Sequence, residues 1–353
     1  MSNFDDDPKT RLSRRDAIKL GSAGVAAGVL TLTTGSHAAP TADPLPIPGT
    51  GPGHVVKVHK PGTIGRWFPH SEAAKEMVDR AVTTLAGEDD LGRAWSKFVS
   101  KEDRVGIKIN CLGGRFSSTM KEVVDPVVEG LRAAGVPDEN IMIFDQYGGS
   151  MRGARYEWQD KPGKLRVLNN DALGYLKDFH KVEGARSKLA KTLTWTTAII
   201  NVPLLKDHDL AGVTCALKNM VFGCVEKPQI MHRDIHIGLP HFYALEEIRG
   251  RVRLNIVDGS FCLYDGGPKH NPKAHVRHET VYATSDPVAA DAIALEVIEA
   301  EREAHKMRSL DRVRRPATYL ALAQELGLGI ADRDRINLET IELDPYEAPT
   351  PTT

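Results

Sequence analysis

The chain is short of most features that announce a function outright. Cysteine is scarce, with four in 353 residues, at Cys111, Cys215, Cys224 and Cys262. No two of them form a C-x-x-C pair, which argues against a zinc ribbon or a thioredoxin-type motif. Excess charge is missing too: 46 Lys+Arg face 47 Asp+Glu, for a formal net charge of −1. No basic stripe with interleaved aromatics exists, so nucleic acid is not an expected partner. No internal repeat is visible, and no apolar run is long enough to span a bilayer well.

What is present starts at the N-terminus. Ser13-Arg14-Arg15-Asp16-Ala17-Ile18-Lys19 sets two arginines ahead of an apolar residue and a lysine. A weakly apolar stretch rich in Gly and Ala follows, and Ser36-His37-Ala38 offers small residues where a signal peptidase reads. This layout predicts a removable export signal over residues 1–38 with a twin-arginine address. The stretch is too short and too rich in Gly, Ala and Thr for a good membrane anchor. The twin-arginine translocase is then the expected partner, and the periplasm or the extracellular space the expected location. Residues 39–53 are rich in Pro, Gly and Thr and read as a linker. Residues 54–345 remain, enough for a single domain, with two lobes as an alternative. In an oxidising compartment four cysteines are compatible with two disulfides, with ligands for a metal or cluster, or with buried thiols.

Short β-rich runs alternate with helical periodicity through this region. Strands are expected at 55–59, 104–110, 141–144, 165–168, 197–202, 252–257 and 280–283. Helices are expected at 71–85, 121–134, 210–222, 242–249, 287–306 and 316–325. Thr119 with Glu122 has the spacing of a capping box. Asp286-Pro287 supplies an N-cap followed by proline at the first helical position. Several strands are continuously apolar, as in a sheet covered on both faces. The fold class is therefore α/β with a mainly parallel sheet flanked by helices. Ligands of such sheets bind beyond the carboxyl ends of the strands.

Five segments follow strands and carry candidate chemistry. In the first, Lys108 and Asn110 are two apart and point to one face, ahead of the Gly113-Gly114 turn. A cation and an amide at such an edge suit a carboxylate or phosphate, although the spacing is neither a Walker loop nor G-x-G-x-x-G. The second runs from Asn201 to Cys224, with Lys206, His208, Lys218 and Asn219. The helix expected there is apolar nearly all round, which predicts burial. A buried Lys218 needs an anion, from either a protein carboxylate or a ligand. The third holds His232 and His236, four apart, which one helical turn would set side by side. With Cys215 and Cys224 they would make a mixed N/S site for zinc or iron. The fourth ends a strand in Asp258-Gly259 before a glycine-rich loop, and an ordinary turn is the alternative. The fifth places Asp291 on the apolar face of a helix, where Lys218 or Lys108 is the expected partner.

Taken together, Lys108, Asn110, Lys206, His208, Gly212-Val213-Thr214, Leu217-Lys218-Asn219, Asp258-Gly259 and Ser285 to Asp291 resemble the family of domain of unknown function 362. The resemblance covers roughly residues 100 to 300. It implies an α/β fold and no settled reaction. Some relatives in that family carry an added ferredoxin-like segment with clustered cysteines. This chain has no such cluster, so a transition metal is the more plausible cofactor and an iron–sulfur cluster less so. The Gly-Val-Thr…Lys pattern is also similar to one in nickel-pincer lactate racemases, from which no residue is carried over.

The leading expectation is an extracytoplasmic enzyme acting on a small anionic molecule. Lys108, Asn110, Lys206, Asn219 and Asp258 would hold it, while Lys218, Asp291 and His208 would carry the chemistry. A binding protein for an anion or metal, and a disulfide-stabilised structural domain, are the competing readings.

Overall fold

Segments in which every residue is apolar or strand-forming make the middle of one large sheet. The computed structural model describes residues 51–348. The expected export signal, and the expected linker up to residue 50, lie outside the described residues. The strands are β1 (His54–His59), β2 (Val105–Lys108), β3 (Ile141–Asp145), β4 (Arg166–Asn169), β5 (His180–Val182), β6 (Ala185–Ser187), β7 (Ala198–Asn201), β8 (Leu204–His208), β9 (Gly212–Thr214), β10 (Val252–Leu263), β11 (His275–Thr284) and β12 (Asn337–Glu342). Ten of them join in the order β12-β1-β11-β10-β7-β2-β3-β4, with β8 on β10 and β9 on β8. Strand β11 runs antiparallel to both neighbours and β9 to β8, while the other pairings are parallel. Strands β2, β3 and β7 are buried along their whole length, as continuous apolar runs require.

Helices cover both faces: α1 (Ser71–Ala86), α2 (Leu91–Ser96), α3 (Lys121–Ala133), α4 (Gly148–Gly153), α5 (Asn170–Leu173), α6 (Thr192–Trp195), α7 (Ala216–Cys224), α8 (Ile235–Tyr243), α9 (Glu246–Arg249), α10 (Pro287–Ala304) and α11 (Tyr319–Glu325). One face packs Ile107, Ile200 and Ile256 against α1 to α3 through Met77, Trp95 and Val127. The opposite face packs Phe144 and Ile199 against α7, α8 and α11 through Leu217, Leu239 and Tyr319. Helix α10 closes a third cluster over Val55, Leu205 and Val257. The described residues fall in one compact unit rather than two lobes. No helix among them is long and apolar enough to cross a membrane.

The structure departs from the periodicity in five places, one being the helix expected over 242–249, which is split between the end of α8 and α9. The helix expected over 210–222 is instead a β8–β9 hairpin followed by α7. Gly212 takes φ +76° at its turn, and a Cβ there would sit 2.7 Å from the Arg315 carbonyl oxygen. The following Val213-Thr214 is β-branched and continues as strand. Strand β10 does not end at Asp258 but runs to Leu263 through an irregularity between Gly259 and Phe261. The Thr119–Glu122 capping box does not form. Thr119 Oγ1 instead accepts the Asn110 N–H and donates to the Val202 carbonyl, and Glu122 pairs with Arg155. Strand β12, too polar and exposed to read as a strand, joins the sheet edge parallel to β1.

Candidate functional site

Polar residues end the apolar strands, and the register lines them up. Lys108 of β2 lies opposite Asn201 of β7, and Asn201 lies opposite Asn255 of β10. Asp145 ends the adjacent β3. Lys108, Asp145 and Asn201 sit at the carboxyl ends of parallel strands and Asn255 within β10, near α7, whose nine residues are all buried. Such burial accounts for a helix with apolar residues on more than one side.

Asn219 of α7 is the hub. Its Oδ1 accepts from Lys108 Nζ at 2.9 Å and from Asn110 Nδ2 at 3.2 Å, and its Nδ2 donates to Asn201 Oδ1 at 2.7 Å. Asn201 Nδ2 in turn donates to Asn255 Oδ1 at 2.8 Å. Lys108 is saturated: besides Asn219, its ammonium donates to Asp145 Oδ1 at 2.8 Å and to the Ile109 carbonyl. Asp145 Oδ2 takes the Cys111 N–H at 2.7 Å. Gly223 makes room for this pair, since a Cβ there would lie 2.0 Å from Lys108 Cε. A fully satisfied buried network of this kind rigidifies its surroundings.

Two further lysines are buried without such partners. Lys206 of β8 donates to Asn110 Oδ1 at 2.8 Å. Lys218 of α7 is 5% exposed and lies 4.0 Å from the centroid of the Phe222 ring. Among the described residues, neither ammonium has a carboxylate within ion-pair distance. Burial pushes Lys206 down to about 8, against the pull of Asp145. Burial, and then the neighbouring Lys206, push Lys218 down to about 7, with Asp209 opposing. Desolvation favours the neutral amine, and a second cation adds to that. Thr214 faces Lys206 across the hairpin, and its buried hydroxyl has no hydrogen-bond partner.

His208 shares the face of Lys206 on β8. Its Nδ1 accepts the Leu210 and Ala211 N–H groups at 3.1 and 3.2 Å. Burial, and then Lys218, hold it far below the usual histidine range. Desolvation therefore favours the neutral ring, although its Nδ1 also lies 3.0 Å from Asp209 Oδ1.

Asp291 is buried as expected, but its partner is not a lysine. Its carboxylate accepts the Ala216 N–H at the start of α7 and the Tyr319 hydroxyl at 2.7 Å. A helix N-terminus is a favourable place for an anion, and here it takes the part expected of Lys218 or Lys108. Burial still pushes Asp291 up to about 7. Asp258 is similarly occupied: it accepts the Met120 N–H at the start of α3 at 2.7 Å and the Ser260 N–H at 3.0 Å. It also borders a small cavity shared with Lys206, Phe116, Phe261 and His275.

The residues expected to form a metal site are not gathered. Cys215 and Cys224 lie nine residues apart at opposite ends of α7, about 13 Å along its axis. His232 and His236 straddle the junction between the 3-10 segment Pro228–Asp234 and α8, so one helical face does not pair them. His232 stacks on His208 with 5.4 Å between centroids, whereas His236 stacks on Tyr319 at 6.4 Å. Among the described residues, no group of three or more His, Cys, Asp or Glu could hold a metal ion. All four cysteines are buried free thiols.

The structure thus brings Lys108, Asn110, Lys206 and Asn219 into one network, with Lys218 and His208 beside it. Sequence reasoning passed over Asp145, Asn201 and Asn255. Their signal was a lone polar residue closing or interrupting an apolar strand.

Mixed α/β architecture, a large mostly parallel sheet covered by helices, and polar groups at the strand ends define the class. The chain belongs to the family described as Domain of unknown function (DUF362), whose model matches residues 105–296. Among solved structures it is similar to the lactate racemase apoprotein from Thermoanaerobacterium thermosaccharolyticum, at 14% identity and a TM-score of 0.36. That match covers 72% of this chain, and the chain spans 58% of the racemase's length. No curated protein matches the sequence.

Proposed function

We propose that this protein is an enzyme acting on a small carboxylate or phosphate compound bound beside Lys206 and Lys218. One observation carries the reading: among the described residues, the buried Lys218 ammonium has no carboxylate within ion-pair distance. An unpaired buried charge is costly, so it either sheds its proton or meets an anion. Lys206, tied to a neutral amide, adds a second positive charge, and the orphan Thr214 hydroxyl adds an unused polar group. In this reading Lys206 and Thr214 hold the anion, while Lys218 exchanges a proton with it near neutral pH. Lys108 and Asn219 shape the floor of the site and do not touch the ligand.

The test is thermal unfolding of the exported, purified protein with and without sulfate or oxalate. Either anion should raise the melting temperature, as any ligand of the folded state does. Lys206→Met and Lys218→Met should remove the response. No response in the wild type, or the same response in both variants, contradicts the reading. A binding protein without catalysis is the second reading. Its support is that Asp291, an expected acid–base partner, is engaged at the start of α7. Deuterium uptake from D2O into a bound 2-hydroxy or 2-oxo acid, dependent on Lys218, favours the enzyme.

The same proposal places the working protein outside the cytoplasm after twin-arginine export. Arg14→Lys with Arg15→Lys should keep a reporter fused to residues 1–38 in the cytoplasm. Export of that reporter unchanged would remove this part.

A further inference from the structure

We propose that Lys218 is a nucleophilic amine that forms an imine with the carbonyl group of a small anionic aldehyde or 2-oxo acid held by Lys206. The inference rests on the anion site proposed above and names its substrate class. It starts from a contrast between buried lysines. Lys108 has three oxygen partners and Lys206 one, but Lys218 Nζ has no hydrogen bond or ion pair among the described residues. It lies over the Phe222 face at 4.0 Å, a cation–π contact that steadies the ammonium but supplies no oxygen acceptor. The residue as a whole keeps 5% exposure, so it is not completely enclosed.

Apart from Asp209 and the Phe222 ring, the groups around it favour a neutral amine. Lys206 and His208 come from β8, His232 from the segment before α8, and Asp209 from the hairpin turn. Asp209 is the carboxylate among them, and it is exposed. Lysines become nucleophiles when they are desolvated or set beside another cation, and both conditions hold here. Burial followed by Lys206 brings Lys218 to about 7, so a large fraction carries a lone pair at neutral pH. His208 Nδ1 is engaged elsewhere, by two backbone N–H groups and by Asp209 Oδ1 at 3.0 Å.

The step balances without any redox partner. The Lys218 lone pair attacks the carbonyl carbon, a C–N bond forms, and the C–O π pair moves to oxygen. Two protons pass from nitrogen to that oxygen, which leaves as water, and a C=N bond remains. Uptake of one solvent proton gives the iminium, which draws electrons from the adjacent carbon and eases loss of a proton there. The substrate's carboxylate stays beside the Lys206 ammonium, where Thr214 offers its unpartnered hydroxyl.

The test treats the full protein with glyoxylate and cyanoborohydride and maps the carboxymethylated lysines by peptide mass spectrometry. At pH 7, Lys218 should be modified at least tenfold faster than the exposed lysines, with a rate midpoint near pH 7. Lys218→Arg keeps a cation and should lose the fast-reacting site. Should that variant not fold, the pH–rate profile of the wild type decides alone. Modification confined to exposed lysines, rising only at alkaline pH, overturns the imine. If sulfate still stabilises the protein in that case, the anion site survives and only the imine fails. If sulfate has no effect either, both fail.

Discussion

Lys108 and Lys218 are both buried against α7, and the helix treats them in opposite ways. Lys108 comes up from β2 into an acidic partner, an amide and a carbonyl, with Gly223 clearing the space above it. Lys218 leaves the helix toward a ring, another lysine and two histidines. A charge whose partners belong to the protein holds the fold. A charge left without such partners is available to something that arrives. The same division separates the carboxylates: Asp145 locks Lys108, and Asp291 locks the first turn of α7.

The contrast is broken most severely at Lys108. Lys108→Met leaves Asp145 buried without its cation and Asn219 Oδ1 with Asn110 as its remaining donor. Such losses cost roughly 3–5 kcal/mol, which a shift of the urea unfolding midpoint would register. Little or no shift would mean that the network does not hold the fold. Gly223→Ala attacks the same pair sterically, since its Cβ would lie 2.0 Å from Lys108 Cε. Overpacking of this kind costs about 1–3 kcal/mol, read in the same unfolding experiment. Asp291→Asn weakens the anchor of α7 at Ala216 and Tyr319. The expected loss is about 1–2 kcal/mol, with sulfate stabilisation retained because Asp291 does not face the anion.

The effect of opposite sign belongs to Lys218, and it depends on pH. Its usual value of 10.5 falls to about 7 in the folded protein. Between these values the unfolded chain holds a proton that the folded chain has shed, so stability rises with pH across the window. Below about pH 7 both states hold the proton and the burial penalty is full. Lys206, at about 8, adds to the rise above that pH. Asp291 acts oppositely: raised from 3.8 to about 7, it makes stability fall as pH climbs between those values. A shallow minimum near neutrality is expected in unfolding curves taken at a series of pH values. Lys218→Met should flatten the alkaline rise and make the fold more stable at pH 7, because it removes a buried charge together with its desolvation penalty.

Much of this arrangement was legible in the sequence. Apolar runs located β2, β3 and β7, and the Asp286-Pro287 start of α10 formed as written, with Asp286 capping the Val288 and Ala289 N–H groups. Lys206, Lys218 and Asn219 drew notice because polar groups in an apolar stretch demand partners. What stayed hidden depends on contacts that residue types do not encode. Asp291 found backbone N–H groups, which every residue but proline possesses, so nothing pointed to Ala216. Asp145, Asn201 and Asn255 acquire meaning only once strand register sets them in a row. The β8–β9 hairpin was concealed because a stretch buried on every side satisfies helical and strand patterns alike. Strand β12 pairs at an exposed edge, where the apolar alternation that marks a strand is not required.

The central claim is that Lys218 is a buried amine awaiting an anion. Its most direct test is an NMR titration of the Lys218 side chain in lysine-labelled protein, with and without sulfate. The expected midpoint is near pH 7 in the sulfate-free protein, moving upward when sulfate binds. A Lys218 that titrates near 10.5, unmoved by sulfate, would contradict the claim.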